Sequence, residues 1–254
     1  MNPIDARRHL DVFSNVAFGA RRVDVIGAGA TGSRIVLSLA KLGLENLHVW
    51  DFDTVESHNI ANQAFGQSDI GKLKVEALRD LVKQQTGLTI TIHNEKVDGS
   101  QSLGEVIFLL TDTMASRKEI WNKGIRFKMR TKLMIETRMG PDQGRCYTIN
   151  PTKPAQVKGW EGTLYGDEVA PVSACGASIT VGPTAEYLSG LAVWQFIRWF
   201  AIDQSKADQG KSGQSTSEQG TAQEEKATTG KEDKLDHEII FGLRPLYTMS
   251  RNFD

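Results

Sequence analysis

Three glycines and one aspartate carry the first chemical signal in this chain. Gly27, Gly29 and Gly32 lie in GAGATG, a GxGxxG spacing between an apolar run and a segment of helical periodicity. Gly27 permits the tight turn, Gly29 lets the backbone approach a phosphate, and Gly32 permits close packing of the following helix. Free N–H groups at the helix start then attract an anion. Asp51 stands 19 positions after Gly32, at the end of the next apolar run. There a carboxylate can accept hydrogen bonds from ribose hydroxyls. The pattern suits a dinucleotide such as NAD and a mononucleotide such as ATP alike.

The elements that must position these residues follow from hydrophobic periodicity. RRVDVIG predicts a strand, Thr31 to Leu42 a helix with Ile35, Val36, Leu39 and Leu42 on one face, and NLHVWDFD a second strand. Lys72 to Gln85 predicts a helix, LTITIHN and EVIFLLTD the third and fourth strands, Ser116 to Phe127 a helix, and TKLMIET a fifth strand. Strands alternating with helices make βαβ units. The expected class is α/β and Rossmann-like: a largely parallel twisted sheet, helices on both faces, and an added antiparallel C-terminal portion. GRCYTINP is a candidate antiparallel strand, and EIIFGLRPLYTM reads as two short strands around a turn. Asp5 to Phe18 reads as a short amphipathic helix, Pro151 to Pro171 as a long loop, and Pro183 to Ile202 as an apolar helix buried against the sheet. Gln204 to Asp236 holds almost no apolar residue. Such a segment cannot offset its ordering entropy, so residues 204–236 are expected to form a disordered internal loop within a single domain spanning 1–254.

Composition excludes several classes. The 254 residues, 39% hydrophobic and 24% charged, fit a soluble globular chain, and the net charge of −1 gives no argument for nucleic acid or an acidic membrane surface. No apolar run approaches the roughly 18 residues of a membrane helix, and MNPIDARRHLDVF lacks the apolar core of a signal peptide. Cys146 and Cys175 cannot build a disulfide framework or a four-cysteine zinc site, so a reducing, cytoplasmic setting is expected.

The stretch after Asp51 separates the two nucleotides. It reads DFDTVESHNIANQAFGQSDIGKLKVEAL, and a later strand ends in LLTDTMASR. DFDTV, HNIANQ, IGKLK and LLTDTMASR resemble, in order, four motifs of the ThiF/HesA/MoeB family, which includes the nucleotide-binding half of ubiquitin-activating enzymes. Those motifs are an Asp-x-Asp strand end, Ser-Asn-x-x-Arg-Gln, Ile-Gly-x-x-Lys, and Thr-Asp-Asn followed four positions later by arginine. The resemblance covers Val23 to Asn150 and, more loosely, the helix after Cys175.

The resemblance implies an ATP-dependent adenylyltransferase. It would activate the C-terminal carboxylate of a small ubiquitin-like or sulfur-carrier protein, or of a peptide, with release of pyrophosphate. It implies that Asp51 holds the ribose, that Asn59 and Gln63 lie near the phosphates, and that Asp53 and Asn62 belong to the same nucleotide-binding set as Gly27, Gly29 and Gly32. Lys74 would offset phosphate charge, and Asp112 would hold Mg²⁺. Taken alone, Lys74 reads as a solvated helix lysine with Lys72 as its competitor, Asp112 as a helix cap before Ser116, and Arg117 as a surface residue. One departure stands out: the family's motif arginine falls at Asn62, and an amide supplies neither the charge nor the fork of a guanidinium. Arg7 and Arg8 are the expected substitutes, because family members contribute an N-terminal arginine across a dimer interface; a homodimer is therefore expected. Arg21 and Arg22 read as structural.

Without a Cys-x-x-Cys pair no zinc is expected, and without a catalytic-cysteine domain the chain reads as a minimal adenylation module. Cys175 is a candidate nucleophile near a helix start, while Cys146 reads as buried. Two rivals stay open. An NAD(P)-dependent oxidoreductase needs a proton donor near a nicotinamide, but His9, His48, His58, His93 and His237 are scattered. A non-catalytic nucleotide- and partner-binding module is favoured by Asn62.

Overall fold

In the computed structural model, residues 2–166, 180–212 and 234–253 are described. Among them, eight strands form one sheet: β1 (Val23–Ile26), β2 (Leu47–Trp50), β3 (Thr91–His93), β4 (Val106–Leu109), β5 (Leu133–Met139), β6 (Gln143–Ile149), β7 (Glu238–Leu243) and β8 (Leu246–Arg251). Their order is β3-β2-β1-β4-β5-β6-β7-β8. The first five are parallel, with Val23 beside both Leu47 and Val106. The last three run antiparallel to their neighbours. The expected Rossmann-like sheet and its antiparallel C-terminal portion are both present.

Helices cover both faces. α1 (Asn15–Phe18), α2 (Gly32–Lys41), α3 (Lys74–Thr86) and α6 (Gly182–Ser212) pack on one, and α4 (Met114–Ile120) with α5 (Pro154–Glu161) on the other. Period-2 alternation separates the two cores: Val23, Val25, Val106 and Phe108 face the first, Ile26, Ile107 and Leu109 the second. On α2, Ile35, Val36 and Leu39 are fully buried, as their spacing predicts, and Leu42 caps the end. Among the described residues no helix is long and apolar enough to cross a membrane.

Three expectations need correction. The N-terminal segment is two short turns, a 3₁₀ turn Ala6–Arg8 and α1, rather than one amphipathic helix. Its apolar residues do not share a face: Phe13 and Phe18 insert against Phe196 and Phe200 of α6 with ring centroids 5.1–5.5 Å apart, while Leu10 and Val12 stay exposed. The glycine- and proline-rich stretch after Pro151 contains α5. Pro154 occupies a first-turn position, where its missing N–H costs nothing. Gly159 is occupied by contact instead of bending, since a Cβ there would strike the Phe253 ring at 2.3–2.7 Å. Finally, α6 continues to Ser212, so Gln204 to Ser212 are helical and not loop. The remaining polar run through residue 233 lies outside the described residues.

Candidate functional site

The strand order reverses at β1: its neighbours are β2 on one side and β4 on the other. In open α/β sheets the crevice at the carboxyl ends of the strands flanking such a reversal receives ligands. The turn Gly27–Gly32 leaves β1 at this point. Gly27 adopts φ +102°, and a Cβ would meet Leu110 O of the β4 end at 2.8 Å. A Cβ at Gly32 would stand 1.9 Å from Gly27 O, so only glycine lets α2 start this close to β1. Among the described residues, nothing lies within 4 Å of the Cβ position of Gly29.

Asp51, just past β2, is tied to this turn. Its Oδ2 accepts from Ala28 N at 2.7 Å and its Oδ1 from Asp53 N at 2.9 Å. Burial raises its pKa above the ordinary carboxylate value, an effect the two N–H donors and the charge of Lys74 offset in part. Two carboxylate oxygens carry about four acceptor sites, so capacity remains for ribose hydroxyls.

Asp53 and Lys74 form the next layer. Lys74 opens α3; its N donates to Asp53 O at 2.9 Å and its Nζ to Asp53 Oδ2 at 2.7 Å. The lysine side chain is 9% exposed and the aspartate 51%. Lys74 is therefore no solvated helix lysine. Its competitor Lys72 is turned outward onto Asp69.

The HNIANQ segment is a 3₁₀ turn, Ser57–Ala61. Asn59 is buried and its Oδ1 accepts from Glu56 N at 2.9 Å, which fixes the turn. Ala64 N donates to Ser33 Oγ of α2 at 3.1 Å, holding the segment over the helix start. Asn62 donates Nδ2 to Thr180 Oγ1. Asn62 Oδ1, Gln63 Oε1 and Thr111 Oγ1 are buried oxygens without a partner among the described residues.

Asp112 lies exposed beyond the carboxyl end of β4. The cap of α4 is Thr113, whose hydroxyl accepts from Ser116 N at 3.2 Å, so Asp112 is not the cap. Arg117 is buried, not on the surface. Its Nη2 donates to Thr137 O at 3.0 Å, and its Nε lies 3.0 Å from the fully buried Glu136 carboxylate, off hydrogen-bond alignment. Glu136 also takes both Arg138 Nε and Nη2, at 2.8 and 2.9 Å, and Trp160 Nε1 at 2.9 Å. This network stiffens the β5 end beside the site. Sequence periodicity did not reveal it, because Glu136 and Arg138 break an apolar strand pattern.

The arginines divide. Arg7 is held by Asp5 in an exposed bidentate pair, and Arg8 is exposed on the same turn. Arg21 bonds Asp203 and Arg22 grips the buried Asp24, both structural as expected. Arg34, unmarked by any motif, bonds the glycine turn and the 3₁₀ segment together. Cys146 is fully buried, and burial pushes its thiol up to about 12. Cys175 lies outside the described residues. A basic cleft of about 530 Å³, with Lys123, Lys128 and Arg130 in its lining, sits by the amino ends of β4 and β5, away from these residues.

The model described as the ThiF family matches residues 16–232. The NEDD8-activating enzyme E1 catalytic subunit of Caenorhabditis elegans is 30% identical over 148 residues, 56% of this chain and 32% of that protein. The probable adenylyltransferase/sulfurtransferase MoeZ of Mycobacterium tuberculosis is 31% identical over 103 residues, 38% of this chain and 26% of its own length. The matched region thus spans a third or less of these curated relatives. The structure of Escherichia coli MccB with ATP superposes with a TM-score of 0.63 at 14% identity, covering 94% of this chain and 65% of that one. PaaA gives 0.63 at 17% identity, covering 98% and 69%. These likenesses carry the fold.

Proposed function

The chain belongs to the ThiF family, and from that premise we propose that it is an ATP-dependent adenylyltransferase acting on the C-terminal carboxylate of a small ubiquitin-like or sulfur-carrier protein, or of a peptide. The carrying observation is the junction at the β1 and β2 ends: a glycine turn, a half-buried aspartate braced on it, and an inward lysine at the start of α3. Ribose hydroxyls bond the Asp51–Asp53 edge. The phosphates lie along the turn and the α2 start, where N–H groups point outward. A carboxylate oxygen of the partner attacks the α-phosphorus, the bond to the β-phosphate bridge oxygen breaks, and pyrophosphate leaves. The protein positions the two anions and offsets their charge.

Lys74 holds phosphate charge, and Asn59 and Gln63 border the phosphate path. Asp112 suits Mg²⁺: it is a hard oxygen donor at a strand end, and this ion takes one or two carboxylates with phosphate oxygens and water. Bound there, Mg²⁺ would neutralise phosphate charge. No group of three metal-binding side chains occurs among the described residues. A homodimer in which Arg8 reaches the partner's site, a cytoplasmic setting, a single domain without zinc, and a role for Cys175 as acyl acceptor belong to the same proposal.

Asn62 favours a second reading, a module that binds nucleotide and partner without turnover. Pyrophosphate exchange into ATP, stimulated by candidate proteins with free C-termini, separates the two: adenylation requires exchange, and a binding module gives none.

A further inference from the structure

Arg34 sits in the first turn of α2, two residues beyond Gly32. Its Nη1 donates to Ala30 O of the glycine turn at 3.0 Å and to Asn62 O at 2.5 Å. Its Nη2 reaches Glu186 Oε1 of α6 at 3.3 Å. We propose that Arg34 is a second polyphosphate-binding cation of this site beside Lys74, supplying the guanidinium that position 62 lacks.

This inference rests on the nucleotide reading above and follows from three features. First, the charge is needed. A triphosphate carries several negative charges, while the helix start offers about half a charge. Lys74 is shared with Asp53 and cannot offset the whole charge alone, and Asn62 is neutral. Among the described residues, Arg34 is the guanidinium that bonds both the turn and the loop facing it.

Second, the guanidinium is available. Of its five donors, Nη1 spends both on neutral carbonyls, which anchor the plane without cancelling its charge. Glu186 takes one Nη2 hydrogen at long range and is itself 66% exposed against 17% for Arg34. In a guanidinium, Nε–H and one Nη2 hydrogen share an edge, a fork that matches two phosphate oxygens once the exposed Glu186 gives way.

Third, the surroundings contain unmet acceptors. Asn62 Oδ1 and Gln63 Oε1, on the loop that Arg34 bonds, and Thr111 Oγ1, at the β4 end near Gly27, are buried without partners among the described residues. Side-chain amides have interchangeable ends. Turned over, Asn62 accepts from the Thr180 hydroxyl and presents its NH₂ where its oxygen now stands. Gln63 turned over presents its NH₂ likewise, and the Thr111 hydroxyl donates as it is. An anion between the glycine turn and this loop would give these orphaned groups an acceptor to donate to.

The test measures binding of Mg²⁺-ATP and of adenosine, by calorimetry, to the full chain. Adenosine reports the base and ribose, and the ratio of the two affinities reports the phosphates. Arg34→Ala is expected to weaken ATP about tenfold or more and to leave adenosine within about twofold. Arg34→Lys should recover part of the loss. In the Arg34→Ala background, Asn62→Arg should restore ATP to within about threefold of the wild type, because the charge returns to the same space from the facing loop. An unchanged ATP-to-adenosine ratio in Arg34→Ala would overturn the inference, as would equal loss of both ligands, which marks Arg34 as a clip for the loop. Failure of the double variant to recover would also overturn it. A wild type that binds neither ligand would instead remove the nucleotide reading itself. If Arg34→Ala does not fold, Arg34→Gln carries the same comparison, since its amide keeps a carbonyl bond and drops the charge.

Discussion

Asp51→Asn separates the support Asp51 gives the turn from the contact it makes with nucleotide. The carboxylate holds two backbone donors, Ala28 N at 2.7 Å and Asp53 N at 2.9 Å. An amide oxygen keeps one of them and sets an NH₂ against the other, which costs about 1–3 kcal/mol. Against this, the variant no longer buries a charge, so the net loss of stability should stay below about 2 kcal/mol, a few degrees of melting temperature. Nucleotide affinity should suffer more. Ribose bonds to a charged acceptor contribute about 1.5–3 kcal/mol each, so adenosine should bind about tenfold to a hundredfold more weakly. The pH dependence gives an independent check. The pKa of Asp51 is raised above its ordinary 3.8 by burial. An acid so raised stabilises the fold only in its protonated form: that contribution is full below the unfolded value and disappears as pH rises through the folded one. Binding has the opposite need, the ionised form. Acidifying the wild type should therefore weaken adenosine before an ordinary carboxylate would titrate, and Asp51→Asn should show no such step. Calorimetric titrations at several pH values, paired with melting curves, read both quantities. Adenosine bound equally well by the variant would refute the reasoning, as would a loss that only follows unfolding.

Lys74→Ala should lower ATP affinity with little change in adenosine; its partner Asp53 is half exposed, so chemical melts should show about 1 kcal/mol or less of destabilisation. Glu136→Ala leaves Arg117 and Arg138 without their buried counter-charge, and denaturant titration should report about 3–5 kcal/mol lost; a loss under 1 kcal/mol would mean that the network relaxes at no cost. Cys146, with its thiol at about 12, should resist alkylation at neutral pH in the folded protein and react once unfolded, as mass spectrometry would show. Excising residues 214–231, whose sequence offers almost no apolar side chain, should leave the melting temperature and nucleotide binding within error; a large drop would disprove the composition argument.

Local pattern revealed much of the fold because each parallel strand is a short apolar run with a turn signal behind it. Gly27, Gly32 and Asp51 were readable for the same reason: a fixed spacing encodes their mutual contacts, and the structure joins Asp51 directly to Ala28 of the turn. Long-range partners were less legible. Local pattern does not mark that Lys74 turns in to Asp53 while Lys72 turns out to Asp69; the start of α3 decides it, and in the sequence only the match of IGKLK to the family motif singled out Lys74. Arg34 carried one faint signal, an arginine one helical turn above Ala30, and its significance depends on the loop at Asn62, 28 residues away. α5 was hidden because proline and glycine mark loops by composition, whereas here Pro154 starts a helix and Gly159 admits Phe253.

The most direct test of adenylation is exchange of labelled pyrophosphate into ATP, run with a panel of small ubiquitin-like and sulfur-carrier proteins and peptides, each with a free and with an amidated C-terminus. Exchange is expected to need ATP, Mg²⁺ and a free terminal carboxylate, and to fall by about 10²–10³ in Asp112→Ala. Tight binding of NAD with none of ATP, or ATP bound without exchange for any free carboxylate, would contradict that expectation.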